Sequence, residues 1–227
     1  MIDLNDIKLN NYESDDIFDV VVKLEKSFGI KFSKTAFINV KTFGDLCDII
    51  EEHIHFETRE DCTKQQAFYK IRKAISATQF INENQIKLDS NLTDLFPLHN
   101  RRQKAREFQN QLGLKINILT YPAWLAFTFV IGLILTFIAF FFDWKVAISG
   151  IVFFILATKI AEKLGRNLDP ETVRQLTEKV TRERYVEIRR SGQTVNRKEI
   201  LEIIKDTFSN DLAIDKTFLT RDAQFSW

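Results

Sequence analysis

Over most of this chain apolar residues recur at intervals of three and four, the spacing that puts them on one face of a helix. Ile17, Val20, Val21, Leu24 and Phe28 predict an amphipathic helix over 16–28, with Ser14 or Asp15 as its cap and Gly29 as its stop. A second helix is predicted from Thr42, with Asp45 as reciprocal capping partner and Phe43, Leu46, Ile50 and Ile54 turned inward. A third starts at Thr63, boxed by Gln66, and buries Phe68, Ile71 and Ile75. The stretch LHNRRQKAREFQNQLGL predicts a fourth, basic helix. Beyond residue 165, Asp169 as cap, Pro170 and Glu171 predict a helix running to about Arg190. After the break SGQ, Asn196 caps the last helix, with Glu199 as box partner and Ile200, Ile203, Ile204 and Phe208 as its apolar face. The tail keeps Leu212, Ile214, Phe218, Leu219, Phe225 and Trp227, so an ordered, packed loop is expected.

The periodic pattern gives way once to continuous apolarity. Pro122 to Phe142 reads PAWLAFTFVIGLILTFIAFFF, 21 residues without a charge, enough to cross a hydrocarbon core of ~30 Å as a helix. A second apolar run, Val146 to Leu164, is uncharged as far as Thr158 and is then interrupted by Lys159. A lysine there reaches the headgroups while its methylenes stay in the apolar layer. The short link between the runs predicts an antiparallel transmembrane hairpin; the alternative is one span followed by an interfacial helix. Trp124, Trp144, Lys145 and Lys159 are the expected interfacial anchors. Lys and Arg cluster before the first run (Arg101, Arg102, Lys104, Arg106, Lys115) and after the second (Lys159, Lys163, Arg166, Arg174). That distribution predicts both termini in the cytosol, in a bacterial inner membrane or its equivalent. The N-terminal MIDLNDIKLN lacks the basic start and apolar centre of a secretory signal, so insertion is expected from the internal hairpin.

Composition narrows this further. Lys plus Arg is 32 against 31 for Asp plus Glu, a net charge of +1, so no concentrated basic surface for nucleic acid is expected. Two separate thiols, Cys47 and Cys62, suit a reducing compartment. With 227 residues, 7 Gly and 3 Pro, the picture is all-α: small cytosolic helical bundles plus the hairpin. The expected organisation is 1–60, 61–120 beside the membrane, 121–164 as the hairpin, and 165–227, with the last helix packing on 13–56.

SDDIFDVVVKLEKSFGIKF followed by VKTFGDLCDIIEEHI resembles the second half of an acyl carrier protein. That family carries a serine at the start of its second helix, an ending Leu-Glu-x-x-Phe-Gly-Ile, and a threonine-capped last helix. Leu24, Glu25, Phe28, Gly29, Ile30, Thr42 and Asp45 match, and counting back from Phe28 puts Ser14 on the family's phosphopantetheine serine. Asp15 stands where the family has Leu, and Glu13 replaces its Asp. The family's first helix is missing before Ser14. Lys64 to Pro97 and Arg197 to Phe225 both look like that piece, and FQNQLGLKI echoes LEKSFGIKF, so the resemblance implies permuted or duplicated carrier-like pieces.

Candidate chemistry is sparse. Ser14 is expected to be a helix cap, with phosphopantetheine attachment as the alternative. Cys47, His53, His55 and Cys62 do not make a metal site, because His53 and His55 fall about 200° apart around a helix. No Gly-rich phosphate loop or nucleophile motif is present, and no enzyme is expected. The expected role is a non-catalytic, membrane-anchored interaction module for a protein partner, such as an acyl-processing enzyme. The alternatives are a working carrier and a structural, self-associating subunit of a membrane complex.

Overall fold

The computed structural model describes residue 9 and residues 12–33, 35–141 and 144–225. The MIDLNDIK start, Phe142 and Trp227 lie outside the described residues, as do the side chains of Val146 and Lys163. The chain is mostly helical and divides into two compact units, Met1–Ile71 with Thr177–Trp227, and Arg72–Leu176.

In the first unit α1 (Ser14–Phe28) starts two residues earlier than expected. Its N-cap is Glu13, which makes no side-chain cap bond, so neither Ser14 nor Asp15 caps it; both sit inside the first turn. α2 (Phe43–His53) begins at a complete capping box, in which Asp45 N–H donates to the Thr42 hydroxyl and the Asp45 carboxylate accepts from Thr42 N–H. Strand β1 (Glu57–Thr58) precedes α3 (Thr63–Gln79), which crosses into the second unit. The unit resumes within α8 (Val173–Glu183), followed by α9 (Tyr185–Ile188), β4 (Thr194–Val195), which pairs in parallel with β1, and α10 (Arg197–Leu212). The apolar face of α10 closes on α1 and α2: Ile200, Ile203, Ile204 and Phe208 join Ile17, Leu24, Phe28, Phe43, Leu46 and Ile50 in one buried core. Phe43 and Phe208 meet edge to face at 5.3 Å. Ile214, Leu219 and Phe225 of the tail complete it.

The second unit holds the short α4 (Leu92–Leu95), α5 (Arg101–Leu112), β2 (Leu119–Thr120), α6 (Ala123–Ala139), α7 (Trp144–Leu164) and β3 (Asn167–Leu168). Strands β2 and β3 pair antiparallel, with Leu119 opposite Leu168. The expected helix from Pro170 begins later, at Val173. Residues 169–171 are spent on pairing, Asp169 N–H donating to Ile118 O and Glu171 O accepting from Leu92 N–H. Gln175 then caps the start, its side-chain oxygen accepting from the N–H groups of Glu171 and Thr172. The helix also ends early, at Glu183, rather than near Arg190.

A single motif is built twice along this chain. α3 ends at Phe80 and α10 at Ala213, both in the left-handed region at φ 57° and 54°. Each is followed by one 3₁₀ turn, Glu83–Gln85 and Lys216–Phe218, capped by Asn82 and Asp215 through the N–H two residues on. Each loop then docks on a threonine before a helix: Gln224 bridges Thr42, and Asn91 bridges Thr172. The flanking bonds coincide. Phe43 N–H donates to Ala223 O and Gly44 N–H to Arg221 O, as Val173 N–H donates to Ser90 O and Arg174 N–H to Leu88 O. α1 and α5 both stop at a left-handed glycine, Gly29 and Gly113, the conformation that favours a residue without Cβ. Between glycine and threonine the first copy has a loop; the second has the α6–α7 hairpin.

That hairpin is shorter than the apolar run suggested. α6 ends at Ala139, because Phe140 and Phe141 turn the chain, and its 17 residues rise only about 25 Å. α7 has 21 residues but includes Lys145, Lys159, Glu162 and Lys163. Among the described residues no helix is long and apolar enough to cross a membrane. The two helices pack on each other closely: a Cβ on Gly132 would lie 2.1 Å from the Phe154 ring.

Candidate functional site

Ser14 occupies the first turn of α1 and is exposed. Its hydroxyl has no hydrogen-bond partner among the described residues. The approach to it is fixed, since Tyr12 Oη donates to Leu212 O at 2.9 Å and Leu9 is buried. The first N–H groups of a helix lack intrahelical partners and favour an anion. Glu13, Asp15 and Asp16 flank Ser14 in the sequence, the last two in the first turn, and their charges oppose one. At four-residue spacing Ser14, Phe18 and Val22 share one face of α1. Phe18 and Val22 remain exposed there, and Phe18 meets Phe37 edge to face at 6.0 Å. The second copy has no serine between Leu92 and the start of α5, so only the first has a serine at that place.

The four residues weighed as metal ligands are dispersed. Cys47 is buried, and burial pushes its thiol up to about 12. Cys62 is exposed. His53 Nδ1 lies 2.8 Å from Ile49 O, and its ring packs on Phe32 at 4.8 Å. His55 is exposed. Among the described residues no group of His, Cys, Asp and Glu converges on an ion position.

Asn196 caps α10 as expected, its side chain accepting from Lys198 N–H, but Thr63, Gln66 and Glu199 of the two expected boxes are joined in a buried polar network of the first unit. The side chain of Arg189 is fully buried. Its Nε donates to Thr194 Oγ1 at 3.0 Å; its other nitrogens reach Asp61 Oδ1, Thr63 Oγ1 and the carbonyls of Asp61 and Arg59. Thr63 passes the chain on, its hydroxyl donating to Glu199 Oε2 at 2.6 Å and its N–H to Oε1 at 3.0 Å. Tyr185 Oη donates to Glu199 at 2.8 Å and accepts from Asn196 N–H at 3.0 Å. Burial pushes that phenol up to about 12. Gln66, the other expected box partner, donates to Asp61 and accepts from Arg190 N–H. Thr63 and Glu199 thus do not cap their own helices; they tie the start of α3 to α9 and α10. All three guanidinium nitrogens are engaged, so the cluster is a structural clamp. The participating residues lie far apart in sequence, and no spacing announces them.

The four expected anchors sit where the hairpin begins, turns and ends. Trp124, Trp144, Lys145 and Lys159 are all exposed. Between them the helices turn large apolar side chains outward, including Phe127 at 69%, Phe137 at 71% and Phe153 at 63% exposure. The three threonines of the hairpin return their hydroxyls to their own helices: Thr128 to Leu125 O, Thr136 to Gly132 O and Thr158 to Phe154 O.

No family model, no curated protein and no solved structure matches the chain.

Proposed function

We propose that this protein is a membrane-anchored, non-catalytic interaction module built from two acyl-carrier-like motifs. The outward-facing apolar side chains of α6 and α7 carry the reading. A monomer in water rarely keeps a contiguous apolar patch beyond a few hundred Å², and here both faces of a hairpin are apolar while its threonines satisfy themselves internally. A hairpin inserted together, with Trp124, Trp144, Lys145 and Lys159 at the headgroups, accommodates the short α6 by local bilayer thinning. The pairing of β2 with β3 supports both ends lying on one side, and the flanking Lys and Arg support the cytosolic side of an inner membrane. The repeated loop-to-threonine bonds support the carrier resemblance. α10, α1 and α2 take the places of the family's first, second and last helices, and α3, α5 and α8 take them again. The face of α1 bearing Phe18 and Val22 is then the surface offered to a protein partner, of which an acyl-processing enzyme is the first candidate.

Carbonate washing and flotation of the expressed protein test the anchor. It should stay with the bilayer, and Cys62 should react with an impermeant maleimide only after the cytosolic side is opened. Recovery in the carbonate supernatant sinks the reading.

A second reading, a working carrier with phosphopantetheine on Ser14, is favoured by one observation: that hydroxyl is exposed in the first turn and does no capping. Intact-mass measurement after co-expression with a broad phosphopantetheinyl transferase should then show a mass gain that Ser14→Ala lacks. An unmodified mass removes the carrier and leaves the interaction module.

A further inference from the structure

We infer that the second unit binds an anionic phospholipid at the base of the hairpin, an inference that rests on the membrane reading above. An apolar groove of about 750 Å³ runs between the lower turns of α6 and α7, within the ~300–1,000 Å³ range of ligand sites. Phe129, Phe153, Leu156, Ile160 and Leu164 line it, and Arg166 and Asn167 stand at its polar end. A second cavity of about 280 Å³ adjoins it, lined by Arg102, Arg106, Gln109 and Asn117. Gly165 lines both. The β2–β3 ladder contributes to both, Asn167 lining the apolar groove and Leu119 the basic cavity. The junction is tight, since a Cβ on Gly165 would lie 2.5 Å from Thr120 O.

Charge selects the occupant. The cations of α5 divide sharply. Arg101 turns inward and donates to Phe96 O at 2.7 Å and Arg166 O at 2.9 Å. That second bond fixes the end of α7 to the start of α5. Lys104 is tied to Glu107 and to Thr78 O. Arg102 and Arg106, one turn apart, have no carboxylate partner among the described residues, and neither does Arg166. Among the described residues no carboxylate lines either cavity. Planar guanidiniums match phosphate oxygens bidentately, and basic pockets beside membrane helices on the cytoplasmic side are sites for anionic headgroups. An acyl chain in the groove beside Arg166 and a phosphate on Arg102 and Arg106, joined past the shared Gly165, satisfies both halves with one molecule.

Detergent-solubilised full-length protein, given equimolar phosphatidylglycerol and phosphatidylcholine, is read by native mass spectrometry. The anionic lipid should be retained by about tenfold over the zwitterionic one, a 1.4 kcal/mol difference. Arg102→Gln with Arg106→Gln should bring the ratio to near one with helicity unchanged. Ala157→Trp, which fills the groove and spares both arginines, should lower retention of either lipid. Equal retention by the wild type, an unchanged ratio in the double variant, or displacement of the lipid by glycerol phosphate alone overturns the site. Flotation with pure phosphatidylcholine vesicles separates the two readings. Protein that floats without lipid preference keeps the anchor and loses the site; protein that prefers phosphatidylglycerol in detergent but does not float keeps the site and loses the anchor.

Discussion

At the residue scale, two buried acids are held protonated by the first unit. The Cys47 thiol and the Tyr185 phenol both rise to about 12, chiefly because burial penalises their charged forms. In the unfolded chain they ionise at ordinary values, about 8.5 and 10. Above those values the unfolded state binds fewer protons than the native one, so stability is intact at lower pH and falls as pH climbs toward 12. Thermal melts at stepped pH should show that decline, and Tyr185→Phe should flatten its part above pH 10. Reactivity follows the same division of the thiols. A chromogenic thiol reagent should titrate one cysteine per native chain, Cys62, and two in denaturant; two fast native thiols would contradict the buried position of Cys47. Periodicity had already turned Cys47's helix inward, through Phe43, Leu46 and Ile50. The partners of Tyr185 could not be read so, because Glu199 and Asn196 lie on another helix.

At the scale of elements, α10 is the piece that completes the core of α1 and α2. Phe208 is fully buried against Phe43, so Phe208→Ala should cost about 3–5 kcal/mol, a cavity-sized loss, measurable by urea titration. A cost near zero would mean that the contact does not hold the unit. Helix positions were largely legible: α1, α2, α5 and α10 fall within two or three residues of their predicted extents, since amphipathic spacing is local. Caps were less so. Thr42 closes its box with Asp45, but the Thr63 hydroxyl accepts from the buried Arg189 and the Glu199 carboxylate accepts from Thr63 and Tyr185, so neither is left for its own helix end. Ser14, expected to cap, is displaced by a helix that starts earlier.

For the molecule as a whole, the hairpin reads as an insertion into a repeated motif. Its two ends meet at the β2–β3 ladder, and Gly165 touches Thr120. Replacing residues 122–164 with a short Gly-Ser turn should therefore leave the ladder and the first unit intact. The shortened chain should be soluble without detergent, with amide protection of α1, α2 and α10 unchanged. Loss of that protection would show that the first unit needs the hairpin. The charge-free run and the helical periods were set by the sequence alone, because hydrophobicity and 3.6-residue spacing are properties of a segment. Which segments close on one another was not, because many short amphipathic faces are interchangeable until long-range packing selects among them. Only the tertiary structure spent Thr63 on Arg189 and Glu199 on Thr63 and Tyr185, and left Arg102 and Arg106 without a carboxylate partner among the described residues, near an apolar groove.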